Sequence, residues 1–217
     1  NAKNCVIDTV KLMQKAAVAA GAPEGLIGVI EIPTIEGTNE LMRSKDTSII
    51  LATGGEAMVR AAYSSGRPAI GVGPGNGPAF IEKTADIKKA IKRIVQSKTF
   101  DNGVICATEQ SVIIDKEIYD KVKNEFLNRG AYILNEEELD KVREVLFKNG
   151  SLNADIVGKS AYIIASMAGF EIPKSSKVLI GEVTSTGMEE PFAHEKLSPV
   201  LAMYKSEDFE DGLTQKG

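Results

Sequence analysis

The stretch Leu51-Ala-Thr-Gly-Gly-Glu-Ala-Met-Val59 decides the class of fold. Ser48-Ile-Ile-Leu-Ala52 is a short apolar run of the kind that forms a buried strand, and it ends in Thr53, Gly54 and Gly55, where a helix over Gly55–Ala62 should begin. A strand that enters a helix through two glycines is the first half of a βα unit. Ala69-Ile-Gly-Val72 supplies the next strand, with a connection suited to parallel pairing. On the N-terminal side, Val6, Val10, Met13, Ala17 and Ala20 repeat at helical spacing, Gly21-Ala-Pro-Glu-Gly25 ends that helix, and Leu26–Ile30 reads as a strand. On the C-terminal side, Gly73–Gly77 reads as a flexible connection and Asp86 as the N-cap of an amphipathic helix over Ile87–Val95. A second α/β series follows, with strands at Ser111–Ile114, Val178–Glu182 and Val200–Tyr204. Its helices fall at Lys116–Asn128, Glu136–Phe147 and Ser160–Ala168, the first two flanking Tyr132-Ile-Leu134. A domain boundary is expected near Thr84.

Composition narrows the function. The 217 residues are 43% hydrophobic, enough for one large or two small cores. Lys plus Arg number 26 against 30 Asp plus Glu, a net charge of -4 with the signs interspersed, which argues against a nucleic-acid partner. No apolar run approaches the length of a membrane span, and no signal-peptide pattern opens the sequence. The two cysteines, Cys5 and Cys106, are far apart and His194 is the one histidine, so neither a disulfide framework nor a metal site is expected; this usage fits a reducing cytoplasm.

Four local features carry chemistry. Phe100-Asp-Asn-Gly-Val-Ile-Cys-Ala-Thr-Glu-Gln110 sets Cys106 between a turn and a strand; on these residues alone, a buried structural thiol and a nucleophile both remain open. At Thr53, Gly54 and Gly55 the N-H groups and positive dipole end of a helix N-terminus converge, which suits a phosphate, although a plain strand-to-helix turn uses the same residues. Gly71-Val-Gly-Pro-Gly-Asn76 lacks the spacing of a dinucleotide fingerprint and reads instead as close backbone approach. Glu189-Glu-Pro-Phe-Ala-His-Glu-Lys-Leu-Ser-Pro199 gathers His194 with several carboxylates, and a solvated loop remains the other reading.

In this order the motifs resemble the aldehyde dehydrogenase superfamily, and within it the coenzyme A-acylating branch. Phe100–Gln110 is similar to that family's nucleophile segment, Ala52-Thr-Gly-Gly55 to the turn beneath the cofactor, and Pro191–Pro199 to the late motif at the nicotinamide ribose. Ala61–Asn76 is most similar to the aldehyde half of the bifunctional aldehyde-alcohol dehydrogenases. The resemblance implies an α/β aldehyde dehydrogenase-like fold, with residues 1–84 the second half of a Rossmann-type NAD-binding domain and residues 85–217 a C-terminally incomplete catalytic domain. It implies a fragment, about half of the family's aldehyde dehydrogenase unit, running from Asn1 to Gly217.

The resemblance also assigns roles. Cys106 is the expected nucleophile; its backbone N-H, with a side-chain amide that the family places upstream of residue 1, would hold the oxyanion. Thr53, Gly54, Gly55 and Glu195 would bind the cofactor, and His194 would meet coenzyme A or orient a thiol, with a packing role as its other reading. The implied activity interconverts acetaldehyde, or another short aldehyde, plus coenzyme A with the acyl-CoA, using NAD and a cysteine thioester. In hydrolytic relatives a glutamate in the segment matching Gly71–Asn76 activates water. Here Val72 stands at that place, so the thioester should last until coenzyme A arrives. A cytoplasmic homo-oligomer, fused to an iron-dependent alcohol dehydrogenase domain, completes the expectation. The alternatives are a hydrolytic aldehyde dehydrogenase giving free acid, a Cys106–His194 hydrolase, and an inert binding or assembly fragment.

Overall fold

The computed structural model describes residues 2–148 and 150–214; the chain ends expected at Asn1 and Gln215–Gly217 lie outside the described residues. The chain divides into two compact units, Asn1–Gly73 and Pro74–Gly217. That division falls ahead of Thr84, because Gly77–Ile81 pairs into the sheet of the second unit.

The first unit contains α1 (Lys3–Ala19), α2 (Ile35–Arg43), β1 (Ile50–Thr53), α3 (Glu56–Tyr63) and β2 (Ala69–Val72). β1 and β2 pair in parallel, from Ile50 opposite Ala69 to Thr53 opposite Val72. The small core beneath them is Met42, Ala52 and Ala62, with Ile50, Ala61 and Ala69 packed around it. On the other face Leu51 is 75% and Ile70 is 54% exposed.

Leu26–Ile30, expected as a strand, forms none: Leu26 is 63% exposed, and no strand among the described residues pairs with that run. Apolar sequence alone cannot make a strand without a neighbour to take its backbone hydrogen bonds. α2 had no counterpart in the sequence reading. It is started by Thr34, whose side chain accepts from the Gly37 N-H at 2.9 Å, and the mid-helix glycine weakens its sequence signal.

The second unit is built on a five-stranded parallel sheet in the order β3-β4-β9-β8-β5, formed by β3 (Gly77–Ile81), β4 (Glu109–Asp115), β5 (Ala131–Ile133), β8 (Val178–Glu182) and β9 (Val200–Ser206). Helices α4 (Ile87–Thr99) and α5 (Tyr119–Asn128) cover one face, and α6 (Glu136–Leu146) and α7 (Ala161–Met167) the other. Along β4, Val112 and Ile114 enter the core with α4 and α5 while Ile113 enters the core opposite. In β9, Leu201 and Met203 alternate with Val200, Ala202 and Tyr204 in the same way. Both faces are buried, which is why these strands read as unbroken apolar runs. A short β6 (Phe147–Lys148), β7 (Ser151–Leu152) ribbon follows α6, and α8 (Phe209–Thr214) follows β9.

Helix starts follow the side chains that satisfy the first N-H groups. Asp86 accepts from the Lys89 N-H at 3.1 Å, and Asn135 and Glu138 form a reciprocal capping box at α6. β3 escaped the sequence reading because Gly77 and Pro78 signal a break. At the edge of a sheet, as here, proline costs no inner hydrogen bond.

Ile114, fully buried in β4, should be far less replaceable than Leu51. Ile114→Ala is expected to cost about 2–5 kcal/mol, and Leu51→Asn to stay within about 0.5 kcal/mol, read as shifts of the urea midpoint of this chain.

Candidate active site

Cys106 lies just ahead of β4, in a turn closed by the Thr108 N-H donating to the Ile105 carbonyl at 3.0 Å, and it is exposed. Cys5, also exposed, lies on α1. α4 delivers the chain to this turn through three consecutive left-handed residues, Asp101 (φ 47°), Asn102 (φ 51°) and Gly103 (φ 72°). Asn102 suits that conformation, and its Nδ2 donates to the Gly158 carbonyl at 3.0 Å. Gly103 is required twice: by its φ, and because a Cβ there would stand 2.7 Å from the Ser198 backbone.

Gly75 joins the thiol segment to Glu195. Its N-H donates to Glu195 Oε1 at 2.9 Å, and a Cβ on it would collide with the Cys106 carbonyl. Asn76 Nδ2 donates to the Ala193 carbonyl at 2.7 Å. Gly73–Gly77 was expected to be a flexible connection; residues 75 and 76 are instead pinned, as the close-approach reading of the glycines required.

The loop carrying Glu195 is braced from several sides. Arg143 grips the buried Glu190 carboxylate through Nε and Nη2, the shorter contact at 2.7 Å, and Glu190 Oε1 caps the Phe192 N-H at 3.0 Å. Lys196 Nζ donates to the carbonyls of Phe192 and His194 at 2.7 and 2.6 Å. The Lys196 N-H donates to Gln110 Oε1 at 3.1 Å, and Lys98 Nζ donates to the same oxygen at 3.2 Å. Burial lowers the Lys98 ammonium to a pKa of about 7, with Glu109 and Glu195 pulling it back upward.

Glu195 thus meets the Cys106 turn through Gly75. His194 does not: its Nε2 lies 3.0 Å from the Met188 carbonyl and its ring packs on Phe147 at 5.4 Å between centroids. No hydrogen bond joins Cys106 and His194, so the structure gives the cysteine-histidine dyad no support.

Thr53, Gly54 and Gly55 lie in the first unit, where Thr53 ends β1 and Gly55 caps α3. The Gly54 N-H donates to the carbonyl of Val72, the last residue of β2, at 3.2 Å, so the turn and Val72 sit together at the C-terminal ends of two parallel strands. Beside α3 is a cleft of about 540 Å³ lined mainly by apolar groups, among them Pro33, Ile35, Met42 and Met58.

Sequence reasoning missed Lys98, Gln110 and Lys196. Lys98 had a signal: it follows Ile91, Ile94 and Val95 at helical spacing and continues their buried face. Gln110 had none, because its partners on the late loop are 86 positions away.

A doubly covered parallel α/β sheet, with an exposed cysteine on the turn before β4 and a carboxylate tied to that turn through Gly75, is an arrangement that comparison with known proteins assigns to a family. The profile of the aldehyde dehydrogenase family matches residues 5–144. The chain belongs to the aldehyde dehydrogenase family. It is 61% identical over 212 residues to an aldehyde-alcohol dehydrogenase of Clostridium acetobutylicum, covering 98% of this chain and 24% of that protein. An acetylating aldehyde dehydrogenase from Geobacillus thermoglucosidasius superposes with a TM-score of 0.96 at 52% identity, over 99% of this chain and 48% of that one. A Rhodopseudomonas palustris propionaldehyde dehydrogenase, solved with bound CoA and an acylated cysteine, gives 0.85 at 33% identity, over 95% of this chain and 47% of that one. The chain therefore spans about a quarter of the first relative and just under half of these solved proteins.

Gly75→Ala should displace the Cys106 carbonyl and weaken the hold on Glu195. The alkylation rate of Cys106 by iodoacetamide is expected to change severalfold, and an unchanged rate would show that the close approach does not control the thiol.

Proposed function

We propose that the protein to which this chain belongs is an NAD-dependent, coenzyme A-acylating aldehyde dehydrogenase acting on acetaldehyde or another short aldehyde. The observation that carries this reading is an exposed Cys106 on a turn packed against Gly75, whose N-H also holds Glu195. In this reading the first unit is the second half of the NAD-binding domain and the second unit belongs to the catalytic domain. The identities with an aldehyde-alcohol dehydrogenase and an acetylating aldehyde dehydrogenase support the acylating branch, and the relative solved with CoA and an acylated cysteine supports a thioester on Cys106.

The residues present fit a nicotinamide dinucleotide. In the first unit, Gly55 and the first turn of α3 offer N-H groups to its phosphates, with Thr53 and the Val72-bonded Gly54 shaping the turn, and the cleft beside α3 offers an apolar seat. In the second unit, Glu195 offers a carboxylate to ribose hydroxyls, and it is the family resemblance that assigns both to one cofactor. When bound, the nucleotide supplies the acceptor for the hydride that leaves the aldehyde carbon.

Cys106 acts as a thiolate whose sulfur adds to the aldehyde carbonyl, and the Cys106 N-H donates to the oxyanion so formed. Loss of hydride leaves an acyl group bonded to the Cys106 sulfur. The thiol of coenzyme A releases its proton to solvent and its sulfur attacks that carbon, and the bond to Cys106 breaks, returning the thiolate. The reverse sequence turns acyl-CoA into aldehyde. Val72, at the place where the resemblance sets a glutamate in hydrolytic relatives, has no group to take a proton from water, which favours release to coenzyme A. His194 serves in loop packing, since its ring nitrogen and face are both engaged. A cytoplasmic homo-oligomer follows from the family resemblance.

The test is an assay of the full-length protein. Acetaldehyde, NAD and coenzyme A should yield acetyl-CoA and NADH, and Cys106→Ala should lower turnover by about 10⁴-fold or more while NADH binding persists. Aldehyde oxidation at wild-type rate by that variant would refute the assignment. Val72→Glu should add release of free acid in the absence of coenzyme A. Wild-type release of free acid as fast as acyl-CoA would place the protein in the hydrolytic branch.

A further inference from the structure

We infer that Lys98 is a positioning residue for the Glu195 carboxylate, acting through the side-chain oxygen of Gln110; this rests on the proposed contact of Glu195 with the nicotinamide ribose. Lys98 is fully buried, in the last turn of α4, at a position where the helix otherwise packs Ile91, Ile94 and Val95 into the core. A buried ammonium with one neutral acceptor is a costly choice for a core position, and an apolar side chain would fill the same space without that cost. Its contacts name a task for it.

Gln110 Oε1 accepts from two donors at once, Lys98 Nζ at 3.2 Å and the Lys196 N-H at 3.1 Å. Through this oxygen, the helix before Cys106 and the strand after it are both joined to the residue that follows Glu195. The other end of the Gln110 amide is held weakly, with Nε2 at 3.4 Å from the Thr108 carbonyl and 3.5 Å from Thr108 Oγ1. Lys98 is therefore one of the two donors that keep the amide oxygen turned toward the late loop. Without it the Gln110 oxygen keeps one donor of its two, and the loop at Glu195 loses the link to α4 while its other braces remain.

The charges that face the ammonium come from two elements. Glu109, on β4, has one oxygen buried without a hydrogen-bond partner, and Glu195 lies on the late loop beside Lys196. Attraction between Lys98 and Glu195 adds to the amide link while the lysine is protonated. Because burial brings Lys98 to a pKa of about 7, the attraction is present below neutral pH and fades above it.

The experiment uses the full-length enzyme and compares wild type with Lys98→Met, Gln110→Glu and Glu195→Gln. The measurements are KM for NAD, KM for coenzyme A and the alkylation rate of Cys106 across neutral pH. Lys98→Met is expected to raise KM for NAD about tenfold with little change in Cys106 alkylation. Wild-type KM for NAD should rise as pH passes about 7, and Lys98→Met should remove that bend. Gln110→Glu keeps an acceptor for both donors and adds a negative charge, so the bend should move upward by about one pH unit or more. This variant tests the role even if Lys98→Met fails to fold. An unmoved bend in Gln110→Glu, a wild-type KM for NAD in Lys98→Met, or equal losses of NAD affinity and Cys106 alkylation would each overturn the positioning role. Loss of NAD affinity in Glu195→Gln alone overturns only the role of Lys98, whereas wild-type affinity in Glu195→Gln overturns the ribose contact itself.

Discussion

Three successive left-handed residues, Asp101, Asn102 and Gly103, are the constraint on which the site depends. A helix that ends at Thr99 must give way to a strand that starts at Glu109, and the chain between them must present Cys106 outward while both flanks stay in the core. Left-handed backbone makes so tight a reversal, at a steric cost that asparagine and glycine bear better than other residues. The conformation persists because the surroundings over-determine it: Asn102 is tied to Gly158, and Gly103 lies against the Ser198 backbone where no side chain fits. The Cys106 turn and the late loop are therefore placed by one set of contacts.

Charge is used differently in the two braces of that late loop. Arg143 and Glu190 are a matched pair in which two guanidinium nitrogens meet two carboxylate oxygens, a geometry that offsets the cost of burying Glu190. Lys98 has no such partner; it faces an amide oxygen, with Glu109 and Glu195 acting on it through their charge. In the first arrangement the Glu190 hydrogen bond raises the Arg143 pKa above the usual arginine value. The second is poised to change charge near neutrality, which makes it a poor structural brace and a sensitive link to whatever Glu195 binds.

Most of the fold was legible because a parallel sheet covered on both faces prints its strands as apolar runs, and Val112–Ile114, Val178–Ile180 and Val200–Tyr204 are of this kind. Asp86 and Asn135 announce the helices they cap. The two strand failures share one cause. Leu26–Ile30 has the composition of a strand without a partner among the described residues, and Gly77–Ile81 has the composition of a turn but a partner in β4. Strand formation is a pairwise property, and a local window sees one member of the pair.

The site divides along the same line. Cys106 on its turn and the Thr53–Gly55 strand-to-helix turn are local features, written in a few consecutive residues, and their placement was legible there. Gly75 was legible as a close approach but not as an approach to Cys106, and its bond to Glu195 spans 120 positions. Gln110 is beyond local reading altogether, since a glutamine at the start of a strand looks like surface until the late loop folds onto it. What the sequence states plainly is a cysteine between a turn and a strand. What it leaves to the fold is the set of contacts, made by Gly75, Gln110 and Lys98, that tie a carboxylate on a distant loop to the turn carrying Cys106.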